Sequence, residues 1–279
     1  MLELCLDIVA GWRRVRCRGF GFGFGFGFGF GFGFGFGSHP TIPRHHSRGR
    51  TNPMIPPLSI VIPMLNEAPR VAGALLALQP LRHQGHEVIV CDGGSTDGTL
   101  LQCVGLADQV LTSSPGRARQ MNAGAAVARG EVLLFLHADT TLPADAPAAI
   151  AQALAGGAAW GRFDVHIEGH AAMLPVVAAF MNRRSRWTGI ATGDQAIFIR
   201  RGLFHDIGGF PDQPLMEDIE LSRRLRQQGH SPACLTQRVR TSGRRWDERG
   251  AWRTIVLMWR LRWRYWRGTP AEALANEYR

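Results

Sequence analysis

From Leu58 onward, short runs of apolar residues alternate with longer stretches in which an apolar residue returns every three or four positions. The runs Leu58–Pro63, His86–Cys91, Gln109–Leu111 and Val132–Leu136 are short and rich in Val, Ile and Leu, and read as buried strands. Between them Pro69–Leu78, Thr99–Val104 and Arg117–Ala128 carry helical spacing, and Pro143–Ala155 adds a helix with Thr141 or Asp145 near its start. This βα rhythm predicts a layered α/β domain with a mainly parallel central sheet flanked by helices. Further on the alternation weakens: Trp160–Ile167 and Gln195–Ile199 predict strands, Ala171–Arg184 and Met216–Gln228 helices.

Ahead of this pattern the chain is different in kind. Residues 19–37 alternate strictly between Gly and Phe and hold nine of the fifteen Phe. Half of that tract has no side chain to pack and the rest is identical, so it specifies no core. With its basic, Pro/Gly/Ser-rich flanks, the segment 1–53 is expected to be disordered. Met54 stands just before the globular pattern, and translation is expected to start there. The expected organisation is therefore a low-complexity segment 1–53, a globular domain 54–248 and a basic Trp/Arg-rich helical tail 249–279.

Charge sharpens this division. Of 32 basic and 22 acidic residues, residues 1–53 hold seven and two, residues 54–237 fourteen and sixteen, and residues 238–279 eleven and four. The sums are +5, −2 and +7, giving the net +10. The globular body is nearly neutral, so it lacks the basic face that a nucleic-acid partner would require. The five Cys lack CxxC or Cys/His spacing and point to a reduced compartment. The longest apolar run, Ala171–Met181, contains Pro175 and falls far short of the ~20 residues that span a bilayer.

Three acidic sites carry the candidate chemistry. Asp92 opens the turn Asp92-Gly93-Gly94-Ser95-Thr96-Asp97-Gly98 at the tip of the second strand. Adjacent glycines allow positive φ and close approach of a ligand to the backbone. A calcium loop is excluded, because the sixth position is Asp97 rather than Gly and the twelfth is Cys103 rather than Glu. No GxGxxG dinucleotide fingerprint occurs. An Asx-stabilised turn is the other use of Asp92. Asp139 follows the Val132–Leu136 strand and could hold a divalent cation bridging phosphates, or cap the helix after it. The two strand tips should meet at the carboxyl edge of one sheet, where open α/β sheets bind ligands. Asp218 and Glu217 open a helix, where acids also favour the dipole.

The runs SIVIPMLNEA, CDGGSTDGT, GRARQMNAGAAVARGEVLLFLHADT, GDQAIFIRRGLFHDIGGFPD and MEDIELSRRL, in this order, resemble glycosyltransferase family 2, inverting enzymes of the GT-A fold. The resemblance covers residues 57–279 and is greatest to small bacterial members encoded near radical-SAM proteins, whose relatives include carotenoid-acid glucosyltransferases. It implies that Asp218 is the catalytic base, that Asp92 contacts the donor's base, and that Asp139 is the metal-binding acid of the DxD element, with His137 in place of its first Asp. Asn66, Glu67, Asp97, Arg117 and Asn122 are implied donor contacts. Asp194, Gln195, Glu217, Arg245 and Trp246 are implied at the acceptor or diphosphate. Mg²⁺ or Mn²⁺ is the implied cofactor and a nucleotide sugar the donor substrate. Ser242-Gly243-Arg244-Arg245-Trp246 resembles the QxxRW element of processive members with Ser242 for Gln, so processive polymerisation is not expected.

The segment 250–267 completes the reading. On a helix, Trp252, Ile255, Val256, Trp259, Trp263 and Trp266 share an arc beside a stripe of Arg249, Arg253, Arg260, Arg264 and Arg267. Such a helix suits either a membrane interface or packing on its own domain with snorkelling Arg. The expected function is sugar transfer from a nucleotide donor to a hydroxyl or carboxyl of a lipophilic acceptor, by a protein peripheral on the cytoplasmic face of the membrane. Alternatives are a polyprenyl-phosphate glycosyltransferase and a non-catalytic nucleotide-sugar-binding or membrane-scaffold protein.

Overall fold

The computed structural model describes residues 54–278. The Gly-Phe tract, the expected disorder of residues 1–53 and the expected start at Met54 all concern residues outside that range or at its edge. Eight strands form one sheet: β1 (Leu58–Met64), β2 (Glu87–Asp92), β3 (Gln109–Thr112), β4 (Val132–Phe135), β5 (Thr140–Thr141), β6 (Trp160–Glu168), β7 (Ile197–Arg200) and β8 (Ala233–Ser242). Their order is β3-β2-β1-β4-β7-β6-β8-β5. β1 pairs in parallel with β2 and β4, and β2 with β3, while β7 runs antiparallel to both β4 and β6. The sheet is therefore mixed, with a parallel half, β3-β2-β1-β4, followed by the antiparallel strand β7.

Period-two alternation divides the core. Ile60, Ile62, Val88, Val90 and Leu134 point to one face, and Val61, Ile89, Cys91, Leu133 and Phe135 to the other. The first face is covered by α1 (Ala68–Ala77), α2 (Gln79–His83) and α3 (Thr99–Cys103). The second is covered by α4 (Arg117–Val127), which closes on the sheet because Gly124 lacks a side chain. A Cβ there would lie 2.5 Å from Val61 Cγ1 and 2.6 Å from Cys91 Sγ. Burial on that face pushes the Cys91 thiol up to about 12.

The remaining helices are α5 (Ala146–Ala155) and α6 (Leu174–Thr188), which add to the first layer, and α7 (Arg201–Asp206) and α8 (Glu217–Gln227), which add to the second. Helices α9 (Arg244–Arg249), α10 (Ala251–Trp266) and α11 (Ala271–Tyr278) end the described chain. A third apolar cluster joins Leu261 of α10 and Leu274 and Ala275 of α11 to Leu215 and Met216, immediately before α8. The C-terminal helices thus brace the segment that carries Glu217 and Asp218.

Several boundaries differ from the sequence expectation. The helix expected from Pro143 begins at Ala146, because Thr140–Thr141 is drawn into the sheet beside β8. The one long strand not foreseen is β8, whose Ala233–Ser242 sequence is polar and Arg-rich yet pairs in parallel with β6. Its outward positions face solvent at the edge half of the sheet, so they need not be apolar.

Candidate active site

Among the described residues three non-glycine positions have positive φ: Asn66 at 55°, Ala196 at 46° and Met216 at 65°. Left-handed backbone is costly for such residues and persists only where the surroundings enforce it, most often at functional sites. Met216, buried in the third cluster, turns the chain so that Glu217 and Asp218 start α8 facing inward.

Asp218 is held by backbone alone. Its Oδ2 accepts the Gly193 N–H at 2.8 Å and its Oδ1 the Ile219 N–H at 2.7 Å. Both anchors leave the carboxylate free of a paired cation within hydrogen-bonding distance. Next to it Glu217 is 3% exposed and pairs through Oε1 with Arg117 Nε at 2.9 Å, while its Oε2 has no hydrogen-bond partner. Burial drives the Glu217 pKa upward, Arg117 opposes it, and the net direction is up.

Arg117 also lines a cavity of about 680 Å³ with Glu67, Gln120, His137, Asp139 and, from α11, Glu272. The cavity thus lies at the carboxyl ends of β1 and β4, the edge predicted from the apolar runs. His137 Nδ1 lies 3.3 Å from Asp194 Oδ1, and its Cε1–Nε2 edge packs against Gly193, where a Cβ would come within 2.5 Å. Burial disfavours charge on His137, yet the Asp194 bond and charge raise its pKa above the ordinary value. Asp194 is lowered in turn: burial acts against it, and the His137 bond and charge together with the charges of Arg117 and Arg245 outweigh that effect. Arg245 is exposed in part and electrically close to Arg117, Asp194 and Asp139; burial, then Arg117, lowers its pKa.

The predicted residues therefore fall into two groups. Glu67, Arg117, His137 and Asp139 line the cavity, with Asp194, Glu217, Asp218 and Arg245 beside it. The others bond to the scaffold or pack on it. Asp92 is fully buried, and its carboxylate accepts the Gly94 and Ser95 N–H groups at 2.8 Å and the Ser95 hydroxyl. A contact with a nucleotide base would have to share oxygens already in use. Asp97 binds the Ala68 N–H and the Thr99 N–H and hydroxyl, and Asn66 the Thr96 N–H, tying the Gly-rich turn to the end of β1.

Asn122 does not border the cavity; it clamps the Phe210 backbone, donating to its carbonyl at 2.8 Å and accepting its N–H at 3.0 Å. Gln195 is likewise displaced from the expected acceptor contact. It is fully buried, and its Oε1 accepts the Thr192 N–H at 3.2 Å, shaping the turn that presents Gly193. Trp246 is half-buried and packs against the first apolar cluster.

Two residues outside the expected set belong to the site. Gln120 donates from Nε2 to the carbonyls of Met64 and Cys91, fixing the ends of β1 and β2. Arg184 on α6 is electrically coupled to Asp218, and burial lowers its pKa to about 10. Its signal was spacing: with Val177, Met181 and Thr188 it completes an inward stripe at helical intervals.

A cation site was tested on the donors present. Among the described residues no group of three or more His, Cys, Asp or Glu side chains could hold a metal. Asp139 lies on the cavity wall, its carboxylate touched only by the Thr140 hydroxyl at 3.3 Å. One carboxylate suits Mg²⁺ or Mn²⁺ when substrate phosphates supply the other oxygens. Asp139 would hold the ion, and His137, whose Nδ1 is held by Asp194, lines the same cavity.

Residues 59–209 match the family described as Glycosyl transferase family 2. The chain belongs to that family. It is 28% identical over 247 residues to "Probable glycosyltransferase YdaM" of Bacillus subtilis (strain 168), covering 77% of this chain and 55% of that protein. The chain thus spans about half the length of that relative. In structure it resembles the mannosyltransferase PcManGT from Pyrobaculum calidifontis, solved with GDP-Man and Mn²⁺, at TM-score 0.51 and 20% identity, over 66% of this chain and 56% of the other. It also resembles glucosyl-3-phosphoglycerate synthase from Mycobacterium tuberculosis, solved with Mn²⁺, uridine-diphosphate and glucosyl-3-phosphoglycerate, at TM-score 0.50 and 20% identity over 70% and 75%. These likenesses establish the GT-A fold.

Proposed function

We propose that the protein transfers a sugar from a nucleotide-sugar donor to an acceptor oxygen, with inversion at the anomeric carbon. The observation that carries this reading is Asp218, a carboxylate fixed by two backbone N–H groups beside a cavity lined by Arg117 and Asp139. In this reaction the acceptor O–H proton passes to the Asp218 carboxylate as its oxygen bonds to the anomeric carbon. The bond from that carbon to the donor phosphate breaks, and the nucleoside diphosphate leaves with the electron pair. Arg117 on the cavity wall and Arg245 near it would offset the charge that grows on the leaving group. A divalent ion at Asp139, when bound, would neutralise that charge further. Equal turnover by wild type and Asp218→Asn would overturn the assignment.

The acceptor is proposed to be lipophilic and to be met at a membrane surface, on the cytoplasmic face. Support comes from an exposed aromatic face on α6 and α10. Val176, Phe180 and Trp187 on α6 and Trp252, Val256, Trp263 and Trp266 on α10 are each at least 42% exposed. Phe180 and Trp259 stack across the two helices at 5.7 Å between ring centres. Arg183 lies over Trp187 and Arg267 over Trp263, beside exposed Arg253. Exposed Trp edged with Arg suits the interface of an anionic bilayer. No helix among the described residues is long and apolar enough to cross a membrane. The opposite face of α10, with Leu257, Leu261 and Tyr265, packs on the domain.

A further inference from the structure

The four arginines around the C-terminal end of α6 are not equivalent. Arg162 donates to the Ser185 hydroxyl, to the Asn182 carbonyl and to Asp164. Arg186 pairs with the same Asp164 at 2.8 Å, and Arg183 lies over Trp187. Arg184 differs: its Nε and Nη2 are buried and have no hydrogen-bond partner. Burying guanidinium N–H groups without acceptors costs free energy, so such a group is expected where a ligand completes it.

Its location defines the ligand. Arg184 faces the field of Asp218, whose own oxygens are already held by Gly193 and Ile219. Arg184 is therefore not needed to hold the base in place. It stands four residues after Phe180, so the two side chains are neighbours on the helix surface. Phe180 belongs to the exposed aromatic face. One helix thus carries an apolar surface outside, an unpartnered cation inside, and leads into the Gly189–Gln195 loop that positions Asp218.

We propose that Arg184 is an acceptor-anchoring residue, binding a carboxylate or phosphate of an amphiphilic acceptor so that its attacking oxygen meets Asp218. This rests on the glycosyl-transfer reading and narrows its acceptor class to acids. A guanidinium fork matches either anion in a bidentate manner, which a neutral hydroxyl cannot reproduce. An apolar tail would lie along Phe180 and Trp259.

The test is calorimetric binding to the full chain of octyl phosphate, octanoate and 1-octanol, each below its micellar or solubility limit. The expected result is that at least one anion binds about tenfold or more tightly than the alcohol. Arg184→Gln removes that preference, and Arg184→Lys, which keeps the charge and loses the fork, restores part of it. The tighter of the two anions identifies the acidic group. Octanol binding as tightly as both anions, or an unchanged preference in Arg184→Gln, overturns the proposal. If Arg184→Gln fails to fold, the wild-type preference and the Arg184→Lys value decide. Anion preference without any sugar transfer from a nucleotide donor would instead overturn the transfer reading and leave the anion site standing.

Discussion

Replacing Arg117 by Gln isolates the electrostatic core of the site. Arg117 Nε and Glu217 Oε1 are 2.9 Å apart, with the Glu217 side chain 3% exposed and that of Arg117 40% exposed. Removing one partner of a fully buried pair costs about 3–5 kcal/mol, because a charge is left without compensation. Solvent reaching Arg117 screens part of this interaction, which lowers the expected loss to about 2 kcal/mol at pH 7.5. The loss depends on pH in a defined sense. Glu217 already has a raised pKa in the fold, chiefly through burial, so the native state binds its proton more readily than the unfolded chain.

For such a group stability is highest below the unfolded pKa and falls as pH rises through the folded one. Without Arg117 the folded value rises further, so the window of falling stability widens upward from the ordinary carboxylate range. Urea unfolding of the full chain between pH 4.5 and 8, the range that begins at the usual carboxylate pKa, reads this directly. Arg117→Gln is expected to approach wild type at the acid end and diverge toward the alkaline end. Adding Glu217→Gln is expected to recover most of the loss. A deficit of equal size at every pH, or no recovery in the double variant, would refute the buried-charge argument.

Other perturbations separate geometry from stability. Gly193→Ala would place a Cβ 2.5 Å from His137 and shift the N–H that holds Asp218, lowering turnover about 100-fold with little change in unfolding; a steady-state assay checks it. Charge removal at Arg183, Arg253 and Arg267 is expected to weaken sedimentation with anionic vesicles by about 100-fold, at about 1 kcal/mol for each charge. Replacing Trp252, Trp263 and Trp266 by Ala should weaken binding to neutral vesicles as well. Cys91 is fully buried with its thiol pushed up to about 12, so mass spectrometry after brief alkylation of the native protein should find it unmodified while half-buried Cys234 reacts.

Much of this architecture was legible because burial writes itself into residue type. Leu58–Met64 and Val132–Phe135 are wholly buried on both faces and, apart from Ser59, whose hydroxyl bonds to Glu87, are apolar, so the strands and their tips could be read directly. β8 escaped because a strand flanked on its outer side only by the two-residue β5, with Arg238 and Arg240 exposed, has no apolar run to mark it. At the site, the motif order identified which residues matter but not where each side chain points. Asp92, Asn122 and Gln195 are at the expected positions, yet backbone N–H and carbonyl groups claim them. Those partners are set by loop geometry, which residue identity alone does not encode. The C-terminal helix shows the same division: its amphipathic arc was visible, whereas the Leu257 to Tyr265 packing face depends on Leu215 and Leu274 from other elements.

The central claim is that Asp218 acts as the base in sugar transfer from a nucleotide donor. It is tested most directly by incubating the full chain and Asp218→Asn with UDP-, GDP- and dTDP-sugars and Mn²⁺ or Mg²⁺, following nucleoside diphosphate release. The account predicts metal-stimulated release by wild type with at least one donor, about 100- to 10,000-fold slower release by Asp218→Asn, and retained donor binding. Release at the same rate by both proteins would contradict it.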